Sequence, residues 1–338
     1  MNLPALGNAA PQCGWGYYTQ LQKKGTLPIM DKLVEVNNLT KQYGSYKAVN
    51  NVSFTLNKGD ICGLIGKNGA GKSTLFKLLM DLSKPSEGVI SFGDDSSMNG
   101  QRARKMEDIR QKIGFMMDTP FYPYLNATQN LQYIVKIKGI ADMNAVSEVL
   151  DTVGLSGVKK PFKSFSMGMK QRLGIAKALL GNPEIIIMDE PTNGLDPQGI
   201  ADFRNLVLEY NKKSNITFMI SSHILGELGL MATRFLFIDK GIMIKEIDGV
   251  SLQNEARKAI IVKVDNPGRA VCVLQNEFQL ADVKIENEDT IVIGEPHPPA
   301  DLIAKCMIDN DLRLFALQPL QLTLEDYYLN LIGGSRNV

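Results

Sequence analysis

The chain has 338 residues, enough for two domains, and its 44 % hydrophobic content is ordinary for a folded globular protein. Its 37 basic residues nearly balance 36 acidic ones, which leaves no electrostatic footprint for nucleic acid. The cysteines, Cys13, Cys62, Cys272 and Cys306, form no C-x-x-C pair, which argues against structural zinc and disulfides and suits a reducing compartment; no apolar run approaches the ~20 residues of a membrane span, so membrane work calls for a separate subunit.

Residues 1–29 are rich in Gly, Pro and Gln and have no cationic start followed by an apolar core, so they read as a flexible tail rather than a secretory signal. Trp15, Tyr17 and Tyr18 leave docking open as an alternative. Residues 33–36 alternate as a strand, residues 47–56 read as a second, and residues 57–60 read as a hairpin turn after it. An apolar run at 61–65 leads to a Gly-rich loop and a helix-like run at 74–80. Short strands are expected at 89–92 and 113–117, then mainly helix from 121 to about 160. Residues 164–173 lead into a helical run at 174–180, which Asn182-Pro183 stops. Residues 184–190 (EIIIMDE) are a buried strand ending in two carboxylates, and 216–220 is a further strand followed by Ser221-Ser222-His223. Residues 235–238 and 242–245 form a hairpin around Lys240-Gly241. Strands alternating with helices imply an α/β fold with a mostly parallel sheet and an antiparallel portion on the N-terminal side. The remainder reads β-α-β-β-α-β from 259 to 317, a ferredoxin-like order, with a terminal helix at 324–331. The expected domains are a tail at 1–29, a first domain at 30–245 and a second, α+β domain at 246–338.

Residues 66–73, GKNGAGKS, fit G-x-x-x-x-G-K-[ST] between a strand and a helix. Gly66, Gly69 and Gly71 let backbone N–H groups of the loop, with Asn68, converge on a polyphosphate, and the helix start at Thr74 adds its partial positive charge. Lys72 then reaches the outer phosphates and the Ser73 hydroxyl ligates Mg²⁺. Asp189 ends a buried strand, where ligands collect in open α/β sheets, and can hold Mg²⁺ opposite Ser73. Glu190 is the candidate to deprotonate an attacking water. Solvated strand ends are the alternative for both carboxylates. Ser166, with Gly168, makes either a second anion site at a helix start or a plain N-cap.

Residues 165–172, FSMGMKQR, resemble the signature of ATP-binding-cassette (ABC) ATPases, a Leu-Ser-Gly-Gly-Gln type motif that keeps Ser166 and Gly168 but has Phe165, Met167 and Met169 in place of its other residues. The resemblance is strong over about 30–241. It implies a P-loop NTPase with a RecA-like core, an antiparallel β subdomain and a helical subdomain at about 119–163. It further implies that two cassettes sandwich two MgATP, each held by one chain's phosphate loop and the other chain's Ser166 and Gly168. In that arrangement Asp196 lies at the dimer seam, His223 contacts the γ-phosphate, with a structural histidine as the alternative, and Tyr43 stacks on adenine, with packing of its strand as the alternative. Asp118 stands where the family usually has Gln; the acidic version resembles lantibiotic and bacitracin-type exporters, and metal contact and a helix cap stay open for it.

The expected function is therefore the ATPase subunit of an ABC transporter, peripheral on the cytoplasmic face of the membrane. It would bind ATP and Mg²⁺, pair with a second cassette, and drive a transmembrane permease that exports a peptide antibiotic or similar amphiphile, with no nucleic-acid partner. The alternatives are a soluble mechanical ATPase acting on ribosomes or DNA, and a module that holds nucleotide without hydrolysing it.

Overall fold

The computed structural model describes residues 31–93, 111–117, 121–142, 144–256, 259–294, 297–320 and 323–332. The 1–29 tail and Asp118 lie outside them. The chain divides into two compact units, the first ending at Gly249 and the second starting at Val250.

In the first unit, β1 (Lys32–Tyr43) and β2 (Tyr46–Asn57) form a hairpin whose turn uses Gly44. Strand β3 (Ile61–Ile65) runs into helix α1 (Lys72–Leu79), and β4 (Glu87–Phe92) and β5 (Ile113–Met116) follow. Helices α2 (Ala127–Lys138), α3 (Ala145–Thr152) and α4 (Met167–Leu179) precede β6 (Ile185–Asp189). Then come α5 (Pro197–Ser214), β7 (Thr217–Ser221), α6 (Leu225–Met231), β8 (Arg234–Asp239) and β9 (Ile242–Asp248). Two sheets result: an antiparallel one ordered β2-β1-β4, and a six-stranded one ordered β5-β6-β7-β3-β8-β9 that is parallel except for β9. Strands β3 and β7 are buried at every residue because both faces are covered, which is why they read as unbroken apolar runs. Leu75, Phe76, Leu78 and Leu79 on α1 share one core with Val34, Val36 and Phe54 from the antiparallel sheet and Leu64, Ile187 and Leu236 from the parallel one. The phosphate-loop helix is thereby clamped between the two sheets.

Two local expectations are corrected. The turn at 57–60 is not a hairpin: β2 and β3 belong to different sheets, and the turn is the corner between them. The Asp60 carboxylate accepts from the Asn57 N–H at 2.9 Å and the Asp60 N–H donates to the Asn57 carbonyl at 3.1 Å. Such bonds fix a reversal without fixing which sheet the next strand joins. Helix α4 begins at Met167 rather than Gly174, capped by the Ser166 hydroxyl, which accepts from the Met169 N–H at 3.3 Å. Glycine disfavours helix, but at Gly174 it lets the helix pack closely on β5, where a Cβ would stand 3.1 Å from the Met116 side chain. The 18-residue helix α5, to which the sequence reading assigns no element, is bounded by an Asp196 cap, Pro197 in its first turn and Asn215 in the left-handed region.

The second unit begins with α7, whose residues from Val250 it contains (helix Gly249–Ala256). It continues through β10 (Ala259–Val264), α8 (Pro267–Phe278), β11 (Val283–Asn287), β12 (Thr290–Gly294), α9 (Ala300–Asp309), β13 (Leu314–Leu320) and α10 (Leu324–Leu331). Its sheet is antiparallel, ordered β11-β12-β10-β13, and Ile260, Val262, Ile291 and Ile293 pack against Ala270, Leu274, Ile303 and Met307 of α8 and α9.

Candidate functional site

The loop between β3 and α1 leaves the carboxyl end of the parallel sheet. Gly71 has φ +106° and caps α1, and a Cβ there would meet the Ala48 carbonyl at 2.4 Å. Only glycine fits. The Lys72 ammonium curls back to donate to the Gly66 carbonyl at 2.6 Å and the Lys67 carbonyl at 3.2 Å. Gly69, Asn68 and Thr74 line the same open cleft, together with Ser73, Asp189, Glu190 and His223.

Strand order brings the carboxylates there, because β7 lies between β6 and β3. Asp189, the last residue of β6, accepts from the Ser73 hydroxyl at 2.6 Å and from the Ser221 hydroxyl at 2.6 Å. The Ser221 oxygen in turn accepts from the Glu190 N–H at 3.0 Å. Glu190 has φ +53°, a left-handed conformation disfavoured for a residue with a side chain. It is held there at every polar point: its carbonyl accepts from the Gln171 amide at 3.2 Å, and its carboxylate meets the His223 N–H and ring Nε2, each at 3.1 Å. Burial raises the Glu190 pKa above its ordinary value, opposed by His223 and then Lys72. Burial lowers that of Lys72, opposed by Glu190 and Asp189.

The remaining expected residues lie elsewhere. Ser166 is exposed at the start of α4 and neither it nor Gly168 lines the cleft of its own chain; Gln171, one turn on, is the link between that helix and Glu190. Asp196 caps α5 through the Gly199 N–H at 2.9 Å. Tyr43 is exposed under the Lys41 ammonium, 5.1 Å from its ring centre, and is not among the residues lining the cleft. Its hairpin neighbour Tyr46 does line it, with its hydroxyl 3.5 Å from the Gly69 carbonyl. The sequence reading gives no role to Tyr46, Ser221 or Gln171. A hydroxyl ending an apolar strand was the available signal for Ser221; for the other two, position in the fold is the only signal.

The donor set suits a polyphosphate with a small hard cation. The backbone loop, Lys72 and the α1 N-terminus form an anion cradle. Among the described residues no group of three or more His, Cys, Asp or Glu could hold a metal unaided. A hydroxyl and one carboxylate are what Mg²⁺ takes from a protein when phosphate oxygens and water complete its shell.

A family model described as ABC transporter matches residues 49–193. The ABC transporter ATP-binding protein YcbN of Bacillus subtilis is 39 % identical over 308 residues, covering 90 % of this chain and 99 % of that protein. The bacitracin transport ATP-binding protein BcrA of Bacillus licheniformis is 38 % identical over the same shares. The lantibiotic transport ATP-binding protein SrtF of Streptococcus pyogenes is 40 % identical over 220 residues, 64 % of this chain and 92 % of its own. A dimeric post-hydrolysis structure of the ATP-binding cassette MJ0796, bound to ADP and Pi, superposes with a TM-score of 0.57 at 26 % identity, covering 64 % of this chain and 98 % of that one.

Proposed function

Because this chain belongs to the ABC transporter ATP-binding family, and is an ATPase subunit of that family, we propose that it powers a separate membrane permease that exports a peptide antibiotic of the bacitracin or lantibiotic kind. The transport names carried by relatives at 38 % and 40 % identity support that cargo class. No helix among the described residues is long and apolar enough to cross a membrane, which fits a peripheral subunit on the inner face.

The observation that carries the catalytic reading is the chain of contacts from Ser73 through Asp189 and Ser221 to Glu190 and His223. Lys72, with Gly66, Asn68, Gly69, Gly71 and Thr74, binds the triphosphate. Ser73 and Asp189 hold Mg²⁺, which screens the phosphate charge when bound. Glu190 orients a water and takes its proton, His223 holds that carboxylate and faces the γ-phosphate, and Ser221 aligns Asp189 with Glu190. An aromatic of the first hairpin, Tyr43 or Tyr46, faces the base. Ser166 and Gly168 serve the site of a second cassette, an arrangement that the dimeric MJ0796 cassette supports by analogy.

Glu190→Gln should leave ATP binding intact and slow hydrolysis about 10²–10⁴-fold. Unchanged turnover removes Glu190 from the base role. We also take two domains, meeting near Gly249 rather than at the expected 245/246, because β9 runs on to Asp248. The order β11-β12-β10-β13 across a β-α-β-β-α-β chain supports a ferredoxin-like reading of the second.

A further inference from the structure

Glu190 stands at φ +53°, a conformation that costs free energy for a residue with a side chain and lasts only where its surroundings hold it. Most of what holds it comes from close by. Its N–H donates to Ser221 at the end of β7, and its carboxylate meets His223 just after that strand. Its carbonyl accepts from the Asn193 N–H at 3.2 Å, within the turn that follows. The tie from Gln171 is of another kind. Its side-chain amide reaches the same carbonyl from α4, 19 residues back in the chain, so the conformation of Glu190 depends on where a helix lies.

That helix is seated on the turn after Glu190. Gly194, at φ +76°, makes room for Met167: a Cβ there would stand 2.4 Å from the Met167 Cγ. Met167 is one of the residues by which this chain departs from the signature motif, which has glycine at that place. Next to Gln171 on the other side, Arg172 pairs with Asp202 of α5 at 3.6 Å. Contacts on both sides of Gln171 thus fix the reach of its amide.

We propose that Gln171 is a positioning residue for hydrolysis: its amide holds the Glu190 backbone in the left-handed conformation and thereby aims the carboxylate at the attacking water. The inference rests on the proposed role of Glu190 as the base. Without that donor the carbonyl keeps only the Asn193 N–H among the described residues, and Glu190 is freer to relax toward an ordinary backbone conformation that turns its side chain away. A displacement of about 1 Å at a reacting group costs on the order of a hundredfold in rate, so a partial release should cost about tenfold. Gln171 does not line the cleft that holds Lys72 and Ser73, so ATP binding should not change.

The test is ATP hydrolysis by the purified full-length chain, with ATP affinity read in parallel by equilibrium binding. Gln171→Met keeps the length of the side chain and removes the donor; it should lower kcat about tenfold and leave KM and ATP affinity unchanged. Gln171→Lys, which restores a donor of similar reach, should recover most of that loss. A double-mutant cycle separates positioning from a general structural role, because a residue that acts through Glu190 has nothing left to aim once that carboxylate is gone. Adding Gln171→Met to Glu190→Gln should therefore cost about twofold or less in single-turnover hydrolysis. An unchanged kcat in Gln171→Met overturns the proposal. So does a loss that persists in full in the Glu190→Gln background, a Gln171→Lys variant as slow as Gln171→Met, or a fall in ATP affinity that accompanies the fall in kcat. Failure of the base reading shows itself separately, as unchanged turnover of Glu190→Gln with Gln171 intact.

Discussion

At the scale of single residues the site is a set of compromises between burial and charge. Glu190 loses water, which favours its protonated form, and regains its charge through His223 and Lys72. Lys72 is balanced the same way in the opposite sense. If Glu190 is the base, as proposed, it must be ionised, and activity should be lost as pH falls through its raised pKa. If Lys72 binds the phosphates, as proposed, it must be charged, and activity should also be lost as pH rises through its lowered pKa. The pH profile of kcat/KM for ATP should therefore be a bell narrowed on both sides. Its acid limb should lie above the ordinary carboxylate range and its alkaline limb below the ordinary lysine range. In Glu190→Gln the acid limb set by Glu190 should disappear, and the alkaline limb should move to lower pH because Glu190 helps to hold Lys72 charged. Both charged residues were legible in the sequence, because a glycine-rich loop and a strand ending in two carboxylates are local patterns. Ser221 was not legible as a participant, because its partners Asp189 and Glu190 lie 32 and 31 residues away on a neighbouring strand.

Among the elements, boundaries followed hydrogen bonds that a hydrophobicity pattern does not register. Helix α2 is framed by a capping box between Asn126 and Gln129 and by left-handed Gly139. Its Asn130, buried at 1 % exposure, is the fastener of the tyrosine-bearing turn before it. The side-chain oxygen accepts from the Tyr122 N–H at 2.8 Å, and its amide donates to the carbonyls of Tyr122, Leu125 and Asn126. Asn130→Ala strands those buried groups and should destabilise the domain by about 3 kcal/mol in urea unfolding. An effect within a few tenths of a kcal/mol would mean that the turn is held by other bonds. Helix α4 shows the same limit from the other side: the apolar run marked only 174–180, whereas the Ser166 cap starts the helix at Met167.

For the whole molecule the decisive fact is an asymmetry. One chain carries a phosphate loop and a signature helix, but Ser166 is exposed and does not line its own chain's cleft. A complete site on this reading needs a second cassette. Glu190→Gln should accordingly sediment as a dimer with ATP and as a monomer without it. Adding Ser166→Asp keeps the helix cap but sets a carboxylate against the incoming phosphates. That double variant should stay monomeric while each chain still binds ATP. Dimerisation undisturbed by Ser166→Asp would place the contact elsewhere.

By itself the sequence determined what depends on a window of a dozen residues. That covers the phosphate loop, the buried runs of β3, β6 and β7, and the β-α-β-β-α-β order of the second unit. These follow from backbone conformation, side-chain periodicity and local capping, which neighbouring residues settle among themselves. Only the tertiary structure decided that the chain leaves one sheet for another at Asn57, and that β7 falls between β6 and β3. It alone closed Ser73 onto Asp189 across 116 residues. Those outcomes are set by which apolar faces cover one another, a competition among segments far apart in the chain that no local pattern records.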